Sequence, residues 1–429
     1  MTPRATPGDP RYRTIDEART LQVLVAQGWP LEARAGEARS AEREAKAALD
    51  AAVAMGLPHG VADTGARLFD PDEAVNFLDE AARRQGGLAW DRRVVSGRRL
   101  VWQAHGHRPD QDDATVPPPP STLVDRRFAV TLLRTFNLQA YRPGEEVRLR
   151  LPLPIEDHTL SDVGITFLPP TGTRARLRRG PARLDAVVEV PQSREAAIGV
   201  KIALTSRPWR AEPQIVPLEP GETELYTRQS EGLIRTSGRV RALADDLAQG
   251  QTDALSVVRR FWSFIHESLV FGVVHYDQFA GDEPLDWVLQ AGWCDCNLGS
   301  ALFAALCRTQ GIPARLATGY LLHPQWPAFH SWTEVWTPAA GWTPFDFGAA
   351  SLGSAAAPAP WRDHYFAALD YRMTVQRLPR LFNGTGAVRL PSAWRMLHCL
   401  DGAGMSVSFL SVDTGALVYR EYAEVEQLR

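Results

Sequence analysis

Gly292-Trp-Cys-Asp-Cys296, Arg308, Gly311-Ile-Pro-Ala-Arg315, Gly319-Tyr320, His330-Ser-Trp-Thr-Glu334 and Gly341-Trp-Thr-Pro-Phe-Asp346 follow one another in a single short stretch. The order is a thiol, an imidazole and a carboxylate, each in its own local setting. Acyl transfer by cysteine needs these three groups: a thiolate to attack a carbonyl, a base to activate it, and an acid to orient the base.

Leu298, Ala301, Leu302, Ala305 and Leu306 fall at helical spacing and mark the apolar face of a buried helix. Arg308 lies in its last turn, and Gly311 before Ile-Pro supplies a stop. Cys296, between Asp295 and Asn297, therefore sits at the helix N-terminus. Unpaired N–H groups and the positive end of the helix dipole point there, so the expectation is a depressed thiol pKa. The bland reading is a small buried hydrophobe. Cys294 and Cys296 could form a redox or metal site with Cys307 or His330, but one intervening residue is not a standard zinc spacing.

His330 to Trp336 alternates as a strand does. Thr337-Pro-Ala-Ala-Gly341 is a turn, and Trp342 to Phe345 can return as the paired strand. Asp346 at its end can then come back beside His330. Several of the 13 tryptophans crowd this region, Trp326, Trp332, Trp336 and Trp342 among them. They would make a water-poor site that strengthens hydrogen bonds between catalytic groups. An oxyanion hole needs two donors. The Cys296 N–H is one candidate, and Gln290 or the Trp293 indole could supply the other. Taken alone, each of these residues has an ordinary structural reading. Their joint occurrence is what carries the signal.

The segment from about 253 to 347 resembles the core of the transglutaminase-like superfamily, whose fold is related to that of papain-like cysteine proteases. That family shows Gly-x-Gly-Asp-Cys, a helix ending in Arg, Gly-Ile-Pro-Ala-Arg, Gly-Tyr, His-Ala-Trp-x-Glu and Gly-Trp-x-x-x-Asp. By register on Arg308 and Gly311, the resemblance implies Cys296 as nucleophile, His330 as base and Asp346 as orienting acid. Cys294 then stands where the family has its second glycine. Ser331 replaces the family's alanine, and Phe347 a frequent proline. The resemblance covers about a quarter of the chain and does not fix the reaction. Calcium is not implied, because no Asp-x-Asp-x-Asp-Gly loop is found.

The rest of the 429 residues implies several domains. Residues 1–13 read as a disordered tail. Residues 14–110 read as a helical region: Thr14 and Glu17 form a capping box, Leu31 to Met55 suits a long helix, and Asp70-Pro-Asp-Glu73 is a helix start. Asp110 to Thr122 is an acidic, then Pro-rich linker. Short apolar runs within 122–206, separated by Pro-Gly and Arg-Gly-Pro, indicate an antiparallel β module, similar to the β domain that often precedes bacterial members. A second linker leads to the catalytic core at 222–362, and 363–429 reads as a mixed extension with strands at Met405–Val412 and Ala416–Tyr422. The expectation is thus an α+β, multi-domain chain with a papain/transglutaminase-like core.

Net charge is −3, which gives no reason to expect nucleic acid or anionic membrane as partner. No run approaches the roughly 20 apolar residues of a membrane span. Four cysteines and no secretory h-region point to reduced thiols in a cytoplasm. The function expected is cysteine-dependent acyl transfer on an amide or ester through a thioester, ending in hydrolysis or in transfer to an amine. The acyl donor would be a peptide, a protein or a small amide or ester, with an amine or a carrier protein as acceptor. No cofactor or metal is expected. The alternatives are a noncatalytic binding or scaffold protein and a metal site at Cys294, Cys296 and His330.

Overall fold

The computed structural model describes residues 15–26, 38–62, 64–69, 74–75, 77–78, 119–120, 123–209, 217–271, 274, 276, 283–324, 327–354, 360–381, 384–391, 394–411, 414 and 416–428. The expected tail, Thr14, residues 31–37, the helix start at 70–73 and most of the first linker lie outside these.

The first part holds β1 (Ile15–Asp16), α1 (Glu17–Ala26), α2 (Ala38–Ala54), β2 (Gly60–Val61) and β3 (Arg67–Phe69). The region read as helical therefore also carries a small sheet of order β1-β3-β2. Ile15 does not begin the helix but pairs with Phe69. Leu21, Leu24, Ala45, Leu49 and Phe69 form a small core of their own.

The β module comprises β4 (Arg126–Asn137), β5 (Glu146–Pro152), β6 (Leu160–Thr171), β7 (Ala175–Gly180), β8 (Arg183–Glu189) and β9 (Glu195–Ser206). In β4 the alternation is strict: Phe128, Val130, Leu132 and Phe136 are buried while their neighbours are part-exposed. Strand β7 was not expected from sequence. Its alternate positions are arginines, and it packs only one side of its residues.

The central part contains α3 (Pro220–Tyr226), β10 (Ser230–Glu231), β11 (Ile234–Arg235), α4 (Gly238–Ala248), α5 (Ala254–Ser268), β12 (Val270–Phe271), α6 (Pro284–Ala291), β13 (Trp293–Cys294) and α7 (Cys296–Thr309). Then come β14 (Ala314–Leu321), β15 (Phe329–Thr337), β16 (Gly341–Phe345), α8 (Phe347–Ser354), α9 (Pro360–His364) and β17 (Arg372–Arg377). Strands β16-β15-β14-β17 form one antiparallel sheet. On one face lie the helices: α7 is buried along its length, with α5 and α6 contributing Phe261, Trp262, Leu285 and Val288 to the same core. On the other, Tyr320, Leu321, Met373 and Val375 enter the core of the β module.

The chain ends with β18 (Trp394–Asp401), β19 (Gly404–Ser411) and β20 (Leu417–Leu428). These strands are not an extension apart. They join a six-stranded sheet of order β18-β19-β20-β4-β9-β6, and β20 pairs with β4 from Arg127 to Phe136. A period of two identifies a strand but carries no information about a partner nearly three hundred residues away. Side chains seal the junction: Glu421 accepts from Arg134 Nε at 2.7 Å and from the Tyr320 hydroxyl at 2.5 Å. No helix among the described residues is long and apolar enough to cross a membrane.

Candidate active site

Helix α6 stops at Gly292, whose φ of 67° lies in the left-handed region that favours glycine. Two residues of β13 follow, and Asp295 caps α7. Its Oδ1 accepts from the N–H of Asn297 at 3.0 Å and of Leu298 at 2.8 Å. Its Oδ2 accepts from the Tyr276 hydroxyl at 2.8 Å. Cys296 is the first residue of α7 and is half-buried.

The sequence led to a depressed thiol pKa. The structure places it above the ordinary value: burial pushes it up first, and the adjacent Asp295 charge adds to this. The cap explains why the helix terminus does not offset this burial. Asp295 takes the free N–H groups of the first turn and cancels the positive helix end with its own charge. What remains for the sulphur are the N–H groups of Ser331 and of Cys296, which act in the opposite sense. The thiolate is therefore not a resting property of this helix terminus. It requires a proton acceptor.

A candidate acceptor, His330, is in the neighbouring strand. His330 is the second residue of β15, opposite Gly319, and is 7% exposed. The β15–β16 hairpin has Thr333 facing Phe345, so Asp346 follows directly beyond the paired strands. His330 Nε2 lies 3.0 Å from each Asp346 oxygen. With Nε2 committed, Nδ1 is the nitrogen left to exchange a proton. Gly348 permits this packing: a Cβ there would stand 3.0 Å from His330 Cε1. Asp346 is fully buried, and its Oδ1 also accepts from the Ala349 N–H at 2.9 Å, capping α8. Burial would raise its pKa, but the Arg372 and His330 charges outweigh that and hold it below the usual carboxylate range.

Residues 241–347 match the model of the transglutaminase-like superfamily. This segment is a transglutaminase-like core. No curated protein matches the chain. Among solved structures it is similar to a candidate cysteine protease from Cytophaga hutchinsonii, at 14% identity and a TM-score of 0.46, over 72% of this chain and 92% of that one. It is also similar to the periplasmic domain of TgpA from Pseudomonas aeruginosa, at 17% identity and a TM-score of 0.32, over 52% and 90%. Red sea bream transglutaminase aligns at 11% identity and a TM-score of 0.26, over 66% and 72%.

In the transglutaminase-like core the other expected site residues lie on different elements, and Trp332 packs under the Arg372 guanidinium. Gln290 is exposed in the last turn of α6. Trp293 lies in β13, paired with Val270. Trp332 is fully buried on β15, packed with Ala317 and Leu369, and among the described residues its indole N–H has no hydrogen-bond partner. Cys294 and Cys307 are buried with thiol pKa values pushed up by burial. No cluster of three or more metal-ligating side chains occurs among the described residues.

Sequence reading missed Asp370 and Arg372, which precede and open β17 respectively. The fully buried Arg372 guanidinium pairs with Asp346 through Nη1 and lies 2.8 Å from Asp370 through Nη2. Those two nitrogens lack in-line hydrogen-bond geometry, and Nε makes the directed bond, to Asp370 Oδ1 at 2.8 Å. Asp370 in turn accepts from the Tyr365 hydroxyl at 2.9 Å, and His323 Nε2 stands 3.4 Å away. Asp346 is thus clamped between an imidazole and a guanidinium. Nothing in the local sequence Asp370-Tyr-Arg372 announces this, because the contact depends on β17 pairing with β14.

Proposed function

We propose that this protein is a cysteine acyl-transfer enzyme in which Cys296 is the nucleophile, His330 the base and Asp346 the orienting carboxylate. The observation that carries the reading is the bifurcated contact of His330 Nε2 with a buried, ionised Asp346, which leaves Nδ1 for the thiol of Cys296 beside Ser331. The thiol proton passes to Nδ1 as the sulphur attacks an acyl carbonyl. The imidazolium so formed sits against the Asp346 charge. The tetrahedral oxyanion can accept from the Cys296 N–H. His330 returns its proton to the leaving amine or alcohol, and a thioester remains. Water or an amine, deprotonated by His330, then resolves it.

The raised thiol pKa suits this scheme, because the thiol gives up its proton only as the sulphur attacks. The acyl donor is a peptide, a protein or a small amide or ester. The test is intact mass after incubation with amide and ester panels, with and without a fluorescent primary amine. An adduct on Cys296 that hydroxylamine removes is expected, and incorporation of the amine into product separates transfer from hydrolysis. Absence of any adduct on Cys296, with electrophilic acyl donors included, would leave the noncatalytic alternative.

A further inference from the structure

Strands β5, β8 and β7 form a three-stranded sheet in that order. One face enters the core through Val147, Leu149, Leu184, Ala186 and Val188. The opposite face carries arginines: Arg148 and Arg150 from β5, Arg183 from β8, Arg176 and Arg178 along β7, and Arg174 just before it. The carboxylates on this face are Glu146, Asp185 and Glu189, and they do not balance it. Glu146 is held by Arg176 at 2.8 Å, and Asp185 is shared by Arg150 at 3.0 Å and Arg183 at 3.1 Å. Arg148, Arg174 and Arg178 are exposed and have no carboxylate partner among the described residues. The chain as a whole carries a net charge of −3, so this positive face is a local concentration, not a general basicity.

The two edges of the sheet differ. Beyond β5 the edge is covered, since Arg150 donates its N–H to the Thr385 carbonyl at 3.0 Å and Ala387 donates to the Arg148 carbonyl at 2.7 Å. β7 pairs with β8 on one side, and among the described residues no backbone takes the other. An open edge offers a ready template for one more strand. Charged side chains on an edge also serve to discourage unwanted pairing. That account does not extend to Arg148, Arg150 and Arg183, which lie on the strands behind the edge.

From these two features together we infer that β7 is a docking edge for an extended acidic peptide segment of a partner protein. The segment pairs its backbone with β7 and sets carboxylates against the arginine face. Side chains on one face of a strand recur about every 6.8 Å, so acidic residues at alternate positions meet Arg174, Arg176 and Arg178 in step. A nucleic acid could use the charge but not the unpaired backbone, which is why the peptide is the occupant favoured.

The test is fluorescence anisotropy with a labelled peptide of alternating Glu and Thr long enough to span β7, using the full chain. Three comparisons decide the result. Arg174→Ser/Arg176→Ser/Arg178→Ser should weaken binding about tenfold or more, and raising salt from about 50 to about 300 mM should weaken it by a similar factor. A peptide of the same sequence, N-methylated at alternate residues on its ladder edge, keeps its charge and should lose most of its affinity. A single-stranded oligonucleotide of equal charge should bind less well than the peptide. All three arginines are exposed, so the variant should keep the wild-type circular dichroism and melting temperature. Failure of the wild-type chain to bind the peptide overturns the inference. So does equal binding by the triple variant or the N-methylated peptide, or tighter binding of the oligonucleotide.

Discussion

Replacing Asp346 by Asn tests the site most directly, because shape is kept and charge is lost. The Asn carbonyl oxygen can still accept from the Ala349 N–H, and Arg372 keeps Asp370 as counter-ion, so the fold should survive. What disappears is the anion against which the imidazolium forms. With N–O contacts of 3.0 Å the charge centres are about 4 Å apart, and at an effective dielectric of about 20 the attraction is about 4 kcal/mol. That corresponds to about three decades in rate or population. Two terms reduce it. Arg372, on the far side of the carboxylate, opposes the imidazolium in the wild type, and the Asp346 charge also opposes the thiolate. The expected loss is therefore about ten- to a thousandfold, less than the roughly 10⁴ seen when a serine triad loses this charge. The assay is the rate of Cys296 carbamidomethylation by iodoacetamide near pH 6.5, read by peptide mapping, with circular dichroism as control. A variant alkylated as fast as wild type would remove Asp346 from the chemistry and leave a Cys296–His330 dyad.

Three further outcomes are expected. Alkylation of Cys296 should exceed that of Cys307 and should collapse toward it in His330→Ala, since the helix terminus alone does not depress the thiol; equal labelling with and without the imidazole, followed by mass mapping, would restore the dipole account. Cys294→Ala should keep most turnover and the Cys296 labelling rate while costing about 1 kcal/mol in denaturant unfolding, because Cys294 packs fully buried near Gly299; loss of labelling would shift the nucleophile by two residues. Glu334 is buried, which would raise its pKa, but Arg377 and Arg315 outweigh this and bring it to about 2 from an ordinary 4.5. A depressed carboxylate contributes stability that is complete above about pH 4.5 and lost as pH falls toward 2. The contribution is worth about 3 kcal/mol at 1.36 kcal/mol per unit, so Glu334→Gln should lower stability at neutral pH and flatten the acid limb of the unfolding profile. An unchanged acid limb in thermal melts would contradict it.

The sequence determined the local pieces of the site. Apolar spacing from Leu298 to Leu306 made α7, Gly292 and Gly311 bounded it, and the alternation from His330 to Trp336 with the turn at 337–341 made the hairpin that returns Asp346 to His330. Each of these rests on contacts within a few residues or across a tight turn, which composition and period can encode. Tertiary structure decided what depends on distant partners. The C-terminal strands belong to the β module because β20 closes onto β4. Arg372 reaches Asp346 only because β17 lies beside β14. The thiol pKa moves up, not down, because burial of the sulphur outweighs the helix end, where the Asp295 side chain adds its charge and takes backbone donors of the first turn. Pairing, burial and the spending of particular N–H groups are properties of the assembled core, and no window of the sequence contains them.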